Sequence, residues 1–559
     1  MVEGSPGLGD VVRRIRGIVR PPVHIVPPPP GIEVERDVEV PVRDGTILRV
    51  NVHRPPGDGP WPVLMCAHPY GKDVLPKPRR RGRRWRPLKT FRLLRQTGPI
   101  TVSSLAGWEA PDPGHWVPRG YVVVNADMRG WHRSDGVATL LSQQEAEDYH
   151  DLIEWAGTRP WSTGRVGLNG VSYLAISQWG AAAERPEHLA AICPWEGFTD
   201  VYRDFARPGG VREDGFLPFW SRGLRHAGRQ TDDVREQQRA RPEIDDWWWA
   251  RTREIEYIEV PALVCGSFSD HNLHTRGSFE GFRRIGSAHR WLYTHRDGKW
   301  ATYYSPEALA FQERFFARFL KDERNGFDDL APIRLEVRAS RTEVVDVRAE
   351  RDWPLPDTRW TTVHLDAGDG TLRPQAPVAA ASVAFDTRRG KATFAWTFAA
   401  DTELTGPMAV RLHVEARGTD DVFLFAGVRK LRGRRHVGFE GSYGFPNDLV
   451  THGMCKASMR RTDPDRSETW MPWHPFTDPQ PLPPGEIVPV DIELLPSATL
   501  FRAGETLRLD VQGRWFWPRN PLLGQFPARY EPSPRGTVVL HTGGSHDASL
   551  LLPVVPPRG

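Results

Sequence analysis

Apolar positions in the first half of the chain fall in near-continuous runs. WPVLMCAH, YVVVNAD, GRVGLNG, LAAICPW, VPALVCGSF and HRWLYTH carry almost no polar alternation. That pattern predicts strands buried on both faces of a mostly parallel sheet. Between them the spacing turns helical, over residues 143–156, 173–183, about 274–285 and 306–319. VEVPVRDGTILRVNVHRP adds two alternating strands around the Asp44-Gly45 turn, so the rhythm is that of an α/β core. Residues 198–256 break it with an Arg-, Asp- and Trp-rich helical stretch, placed to lie as a cap over the strand C-termini. From residue 331 onward, short alternating segments such as IRLEVRAS, MAVRLHVEA and TLRLDVQGR are separated by Gly, Pro and Asp turns. They predict an all-β domain, a sandwich or jelly roll. The first thirty or so residues end in PVHIVPPPPG, a stiff extended segment and not a folded unit. The predicted organisation is an extension (1–34), a core in two parts (35–197 and 257–330), a cap (198–256) and a β domain (331–559).

Composition changes this picture little. A chain of 559 residues is too long for one core, since single cores stop growing near about 250–300 residues. The net charge of +4 is small for this length and gives no argument for a nucleic-acid partner. One dense basic run, 77–89, is broken by Pro78, Gly82 and Pro87. It reads as a solvated loop bordering the mouth of whatever pocket follows Tyr70. The four cysteines are far apart, and Cys66, Cys193 and Cys265 sit inside apolar runs as small hydrophobes. Neither a disulfide nor a zinc framework is expected, and a reducing, cytoplasmic setting is. With no 18-residue apolar stretch, no membrane span is predicted.

Candidate chemistry begins where GRVGLNG runs through Gly170-Val171-Ser172-Tyr173 into the helical LAISQWGAAAE. A serine at a sharp strand-to-helix turn has its hydroxyl pushed above the sheet, beside the free N–H groups of a helix N-terminus. In such a fold the acid and then the base follow on loops after later strands. Asp270 follows VPALVCGSF, and His295 ends HRWLYTH. The expected triad is therefore Ser172, Asp270 and His295. The expected oxyanion donors are the backbone N–H of Tyr173 and, because the loop Pro69–Asp73 lacks a glycine run, the hydroxyl of Tyr70. His271 and His274 lie beside Asp270 and raise the thought of a metal, but no further ligand cluster accompanies them, so none is expected.

The segments HPYGKD, ADMRGWHRSDG, GRVGLNGVSYLAISQWG, GSFSD and YTH together resemble the family of cocaine esterase, X-Pro dipeptidyl-peptidase and α-amino-acid ester hydrolase. The resemblance runs from about residue 35 to 555. It implies an α/β-hydrolase domain with a helical cap and a C-terminal jelly roll. It also implies a serine hydrolase that cleaves esters or amides through an acyl-enzyme, without a cofactor. Gly170, Ser172 and Tyr173 match its nucleophile motif, Asp127, Arg129 and Gly130 its D-x-R-G element, and Tyr70 its tyrosine oxyanion donor. Ala175 stands where the family has a glycine. The implied substrate is a small ester, with dipeptidyl or aminoacyl substrates and acyl transfer as alternatives. An amino substrate needs a carboxylate anchor, for which Glu196, Asp200, Asp245 and Asp246 are the candidates. A rival of another class is a binding protein on an inert hydrolase fold.

Overall fold

The computed structural model describes residues 6–79, 85–94, 98–231 and 233–558. The apolar runs form the main sheet: β1 (Glu33–Pro41), β2 (Ile47–Arg54), β3 (Trp61–His68), β4 (Val122–Asp127), β5 (Ser162–Val171), β6 (Leu189–Trp195), β7 (Ala262–Ser267) and β8 (Arg290–His295). Their spatial order is 1-2-4-3-5-6-7-8, with β2 antiparallel to both neighbours and the remaining pairs parallel. Helices cover both faces, as the lack of alternation requires. On one side lie α1 (Gln143–Gly157), α2 (Tyr173–Ala183) and α4 (His271–Arg284), which contribute Tyr149, Trp179 and Phe279 to one core. On the other, α6 (Pro306–Lys321) places Phe315, Phe316 and Leu320 against Leu64, Cys193 and Cys265.

Between β6 and β7 the chain makes short helical turns, among them Val201–Ala206 and α3 (Phe216–Leu224). This cap is tied to the β domain by backbone hydrogen bonds, Asp214 N–H to Arg529 O (2.7 Å) and Ile244 N–H to Phe476 O (3.0 Å). The buried Arg203 reaches His474 O (2.6 Å). The regular elements of the C-terminal region are mostly strands, beginning with β9 (Ile333–Ser340). It has its own core of Val410, Leu412, Leu424, Leu509 and Leu540, as a β-sandwich requires. β9 pairs in parallel with β8 at Leu292 and Tyr293, so the two domains share one continuous sheet.

One expectation fails at the N-terminus. Leu8–Val19 is a helix, and Val23–Val26 pairs in parallel with Ile100–Ser103. The helix is anchored by Arg14, buried and donating to the carbonyls of Leu522 (2.9 Å) and Gly524 (3.0 Å). A helix of 12 residues is marginal alone, so this tertiary anchor, invisible in a local pattern, supports it.

Candidate active site

Ser172 sits between the end of β5 and the start of α2 with φ 60° and ψ −115°, a strained conformation for a residue with a Cβ. Gly170 makes the turn possible. Its φ is +154°, and a Cβ there would lie 2.5 Å from Leu174 Cβ. The helix then leaves past Ala175, where the resemblance expects glycine. The facing chain leaves room for its methyl: a Cβ on Gly197 would lie 2.8 Å from Ala175 Cβ.

Tyr70 is brought to the same place by a pinned loop. Asp127, at the end of β4, accepts from the Lys72 N–H (2.8 Å), and the Lys72 ammonium pairs with Asp37 and Asp73. Arg129 grips Asp148 through two hydrogen bonds of 2.7 Å. The D-x-R-G element thus builds the floor beneath the loop. The Tyr70 oxygen accepts from Trp220 Nε1 of the cap (3.2 Å), so its own hydrogen is left to donate elsewhere. Burial pushes the Tyr70 phenol well above its usual range, and it stays protonated. The N–H of Tyr173 lies in the first turn of α2, where intrahelical acceptors are missing.

Around Ser172, Tyr70 and Tyr173 is a narrow cleft walled by Leu141, Phe198, Phe205, Phe216, Trp220 and Leu273. None of its lining residues is a carboxylate. The four candidate amine anchors lie elsewhere. Glu196 faces His295, Asp200 holds Tyr202 N–H and the Arg203 side chain, Asp245 caps the turn that contains Asp246 and pairs with Arg241. Of the basic run, residues 80–84 lie outside the described residues, and the described ones are absent from the cleft lining.

The histidine that meets Ser172 is His274, with Nε2 3.2 Å from Oγ. Its Nδ1 hydrogen-bonds Asp270 Oδ2. Asp270 precedes α4 and His274 lies one turn into it, the i, i+4 spacing that puts two side chains on one face. Phe198 stacks on the imidazole at 6.1 Å. Ser442, from the β domain, donates to Asp270 Oδ1 (2.6 Å). Lys299, at the start of α5 (Lys299–Tyr303), also donates to Asp270 Oδ2 and has Nζ 2.8 Å from His274 Nδ1. Burial opposes ionisation of Asp270, but Lys299 and His274 outweigh it and hold the carboxyl well below the usual range. Burial, and then Lys299, lowers the His274 pKa against the pull of Asp270.

His295 is therefore a correction: it does not face Ser172. In the β7–β8 register it lies level with Ser267, three residues short of Asp270, still inside the sheet. Its Nε2 meets Glu196 Oε1 (3.0 Å), its Nδ1 accepts from the Asp297 N–H (3.2 Å), and its ring stacks on Trp195. Both nitrogens are engaged away from the cleft. The sequence carries a signal for His274 in its Asp–x₃–His spacing at a helix start. Among the described residues, Glu196, Cys265 and His295 bring ligand-type atoms within 4.8 Å of one another. Burial, helped by Glu196, pushes the Cys265 thiol well above its usual range.

Residues 44–298 match the family described as X-Pro dipeptidyl-peptidase (S15 family), and residues 325–551 its C-terminal non-catalytic domain. A cocaine esterase of Rhodococcus sp. (strain MB1 Bresler) is 25% identical, over 93% of this chain and 98% of its own. An α-amino-acid ester hydrolase shares the fold at 16% identity, with a TM-score of 0.66 over 94% of this chain and 97% of that one. A CocE/NonD family hydrolase from Staphylococcus aureus is 39% identical, with 94% of each chain covered and a TM-score of 0.88. With that identity sustained over both domains, and with the strand order and serine elbow described above, the chain belongs to the CocE/NonD family of hydrolases.

Proposed function

We propose that this protein is a serine esterase whose triad is Ser172, His274 and Asp270. The observation that carries the reading is the relay from Ser172 Oγ to His274 Nε2, with Nδ1 on Asp270. Neutral His274 takes the Ser172 proton on Nε2 as Oγ bonds to the ester carbonyl carbon, and Asp270 stabilises the imidazolium. The carbonyl oxygen becomes an oxyanion, met by the Tyr70 hydroxyl and the Tyr173 N–H. Collapse breaks the bond to the leaving alkoxide, which takes the proton from His274. Water then attacks the acyl-enzyme by the same route in reverse. None of these steps calls for a cofactor.

Substrate class follows from the cleft. Aromatic and aliphatic walls favour an uncharged acyl group, and a free α-amine would be desolvated there with no carboxylate to meet it. This supports ester cleavage over dipeptidyl or aminoacyl cleavage. A fluorophosphonate label should attach to Ser172, and p-nitrophenyl esters should be turned over far faster than X-Pro or aminoacyl anilides. An unlabelled Ser172 would revive the inert-fold alternative; a preference for the anilides would overturn the ester assignment.

A further inference from the structure

The triad has a fourth member that its chemistry does not call for. Lys299 is 6% exposed, and its ammonium lies against both partners of the buried histidine–carboxylate pair. It also sits 4.0 Å from Glu196 Oε2 and 5.2 Å from the Trp300 ring. Burial pulls its pKa down, but Asp270 and Glu196 more than offset that and raise it, so the group is a cation.

A cation 2.8 Å from Nδ1 has two consequences. An Asp–His pair in a dry site tends to become an ion pair, with the carboxylate drawing a second proton onto the imidazole. An imidazolium cannot accept the serine proton. A fixed positive charge beside the ring works against that protonation while leaving the carboxylate ionised. The ionised Asp270 can only accept, so the Nδ1 hydrogen is directed to its Oδ2, which leaves the Nε2 lone pair for Ser172, and charged Lys299, with no lone pair, offers that hydrogen no competing acceptor.

The other groups around the pair do not duplicate this. On α4 itself, burial lowers the His271 pKa to about 4, so it is neutral. Arg276 points away to Asp204 and Glu493. From the end of β6, Glu196 is shared with His295. Glu109, bonded to Trp300 Nε1, has its pKa pushed up to about 8 by burial and is neutral at pH 7. The β domain contributes the uncharged Ser442. Lys299 is the one cation in contact with the pair among the described residues.

We propose that Lys299 is a positioning residue that keeps His274 neutral in the resting enzyme, with its Nδ1 hydrogen on Asp270. The inference rests on the Ser172–His274–Asp270 reading. Its test is the pH profile of kcat/KM on an uncharged p-nitrophenyl ester for the wild type, Lys299→Met and Lys299→Arg, with Ser172→Ala and His274→Ala alongside. The acid limb of Lys299→Met should move up by about one pH unit or more, so activity at pH 6 falls about tenfold or more and recovers as pH rises. Lys299→Arg should keep the wild-type limb. A Lys299→Met limb that stays in place, whether the rate is unchanged or uniformly lower, overturns the proposal. Should Lys299→Met not fold, NMR titration of His274 in the intact wild-type chain decides: a pKa at or above the ordinary value of about 6.5 refutes it. If Ser172→Ala or His274→Ala remains active, the triad reading itself fails, an outcome distinct from an unmoved limb.

Discussion

Two buried histidine–carboxylate pairs stand side by side at the C-terminal ends of β6 to β8. In one, His274 meets Asp270; in the other, His295 meets Glu196. Both rings are 1% exposed, both stack on an aromatic side chain, and Lys299 lies between them. By residue type they are near-equivalent. What separates them is height above the sheet. His295 ends its strand level with Ser267, whereas Asp270 and His274 stand beyond the edge, where a helix carries the ring over to Ser172. A strand end fixes a side chain within the sheet layer, and one helical turn is enough to lift a group over it. The comparison also reassigns the β domain. Matched as a non-catalytic unit, it nonetheless supplies Ser442 to Asp270, so the acid of the proposed triad is held from both domains.

The largest expected effect breaks the comparison outright. His274→Ala should lower kcat by about 10⁴–10⁶, as loss of a triad base does, measured by ester turnover with folding checked by circular dichroism. A loss on that scale from His295→Ala instead would reverse the two roles. Next, Tyr70→Phe removes the proposed oxyanion donor, and with it the acceptor for Trp220 Nε1, while keeping the ring against Tyr173. It should cost about 10²–10³ in kcat with KM little changed, and a fully active variant would make Tyr70 a wall residue only.

Smaller effects sharpen the contrast. For the wild type, kcat/KM should rise with pH as His274 loses its proton. Because its pKa is lowered by burial and Lys299, the half-maximal point should lie below pH 6.5, the ordinary histidine value being about 6.5. Ser442→Ala removes a hydrogen bond to a charged carboxylate, an interaction worth about 1.5–3 kcal/mol in general. Only part of that bears on the transition state, so a 3- to 30-fold fall in kcat is the rough expectation. No change would mean that Asp270 is held well enough by α4 alone. His295→Gln should act least on chemistry, with kcat within about threefold. It should instead lower Tm, since disturbing a buried polar pair costs roughly 1–3 kcal/mol.

Much of this protein was legible in its residues. The unalternating runs marked β3 to β8 because strands covered on both faces have no polar side to show. Gly170 and Ser172 marked the elbow because few sequences run from buried strand to helix through glycine and serine. The same local logic of strand ends pointed to Tyr70, which lines the cleft with Ser172, and to Asp270, which hydrogen-bonds His274. The tertiary structure alone decided which histidine lies against the serine, because that depends on the β7–β8 register and on where α4 starts, and neither is written in any short segment. It also decided that Gly197 leaves room for the Ala175 methyl, that Ser442 reaches across from the other domain, and that Lys299 lies on the pair. These contacts join residues up to 172 apart in the chain. A sequence pattern records which face of its own element a side chain occupies; what stands opposite that face is set only when the elements pack.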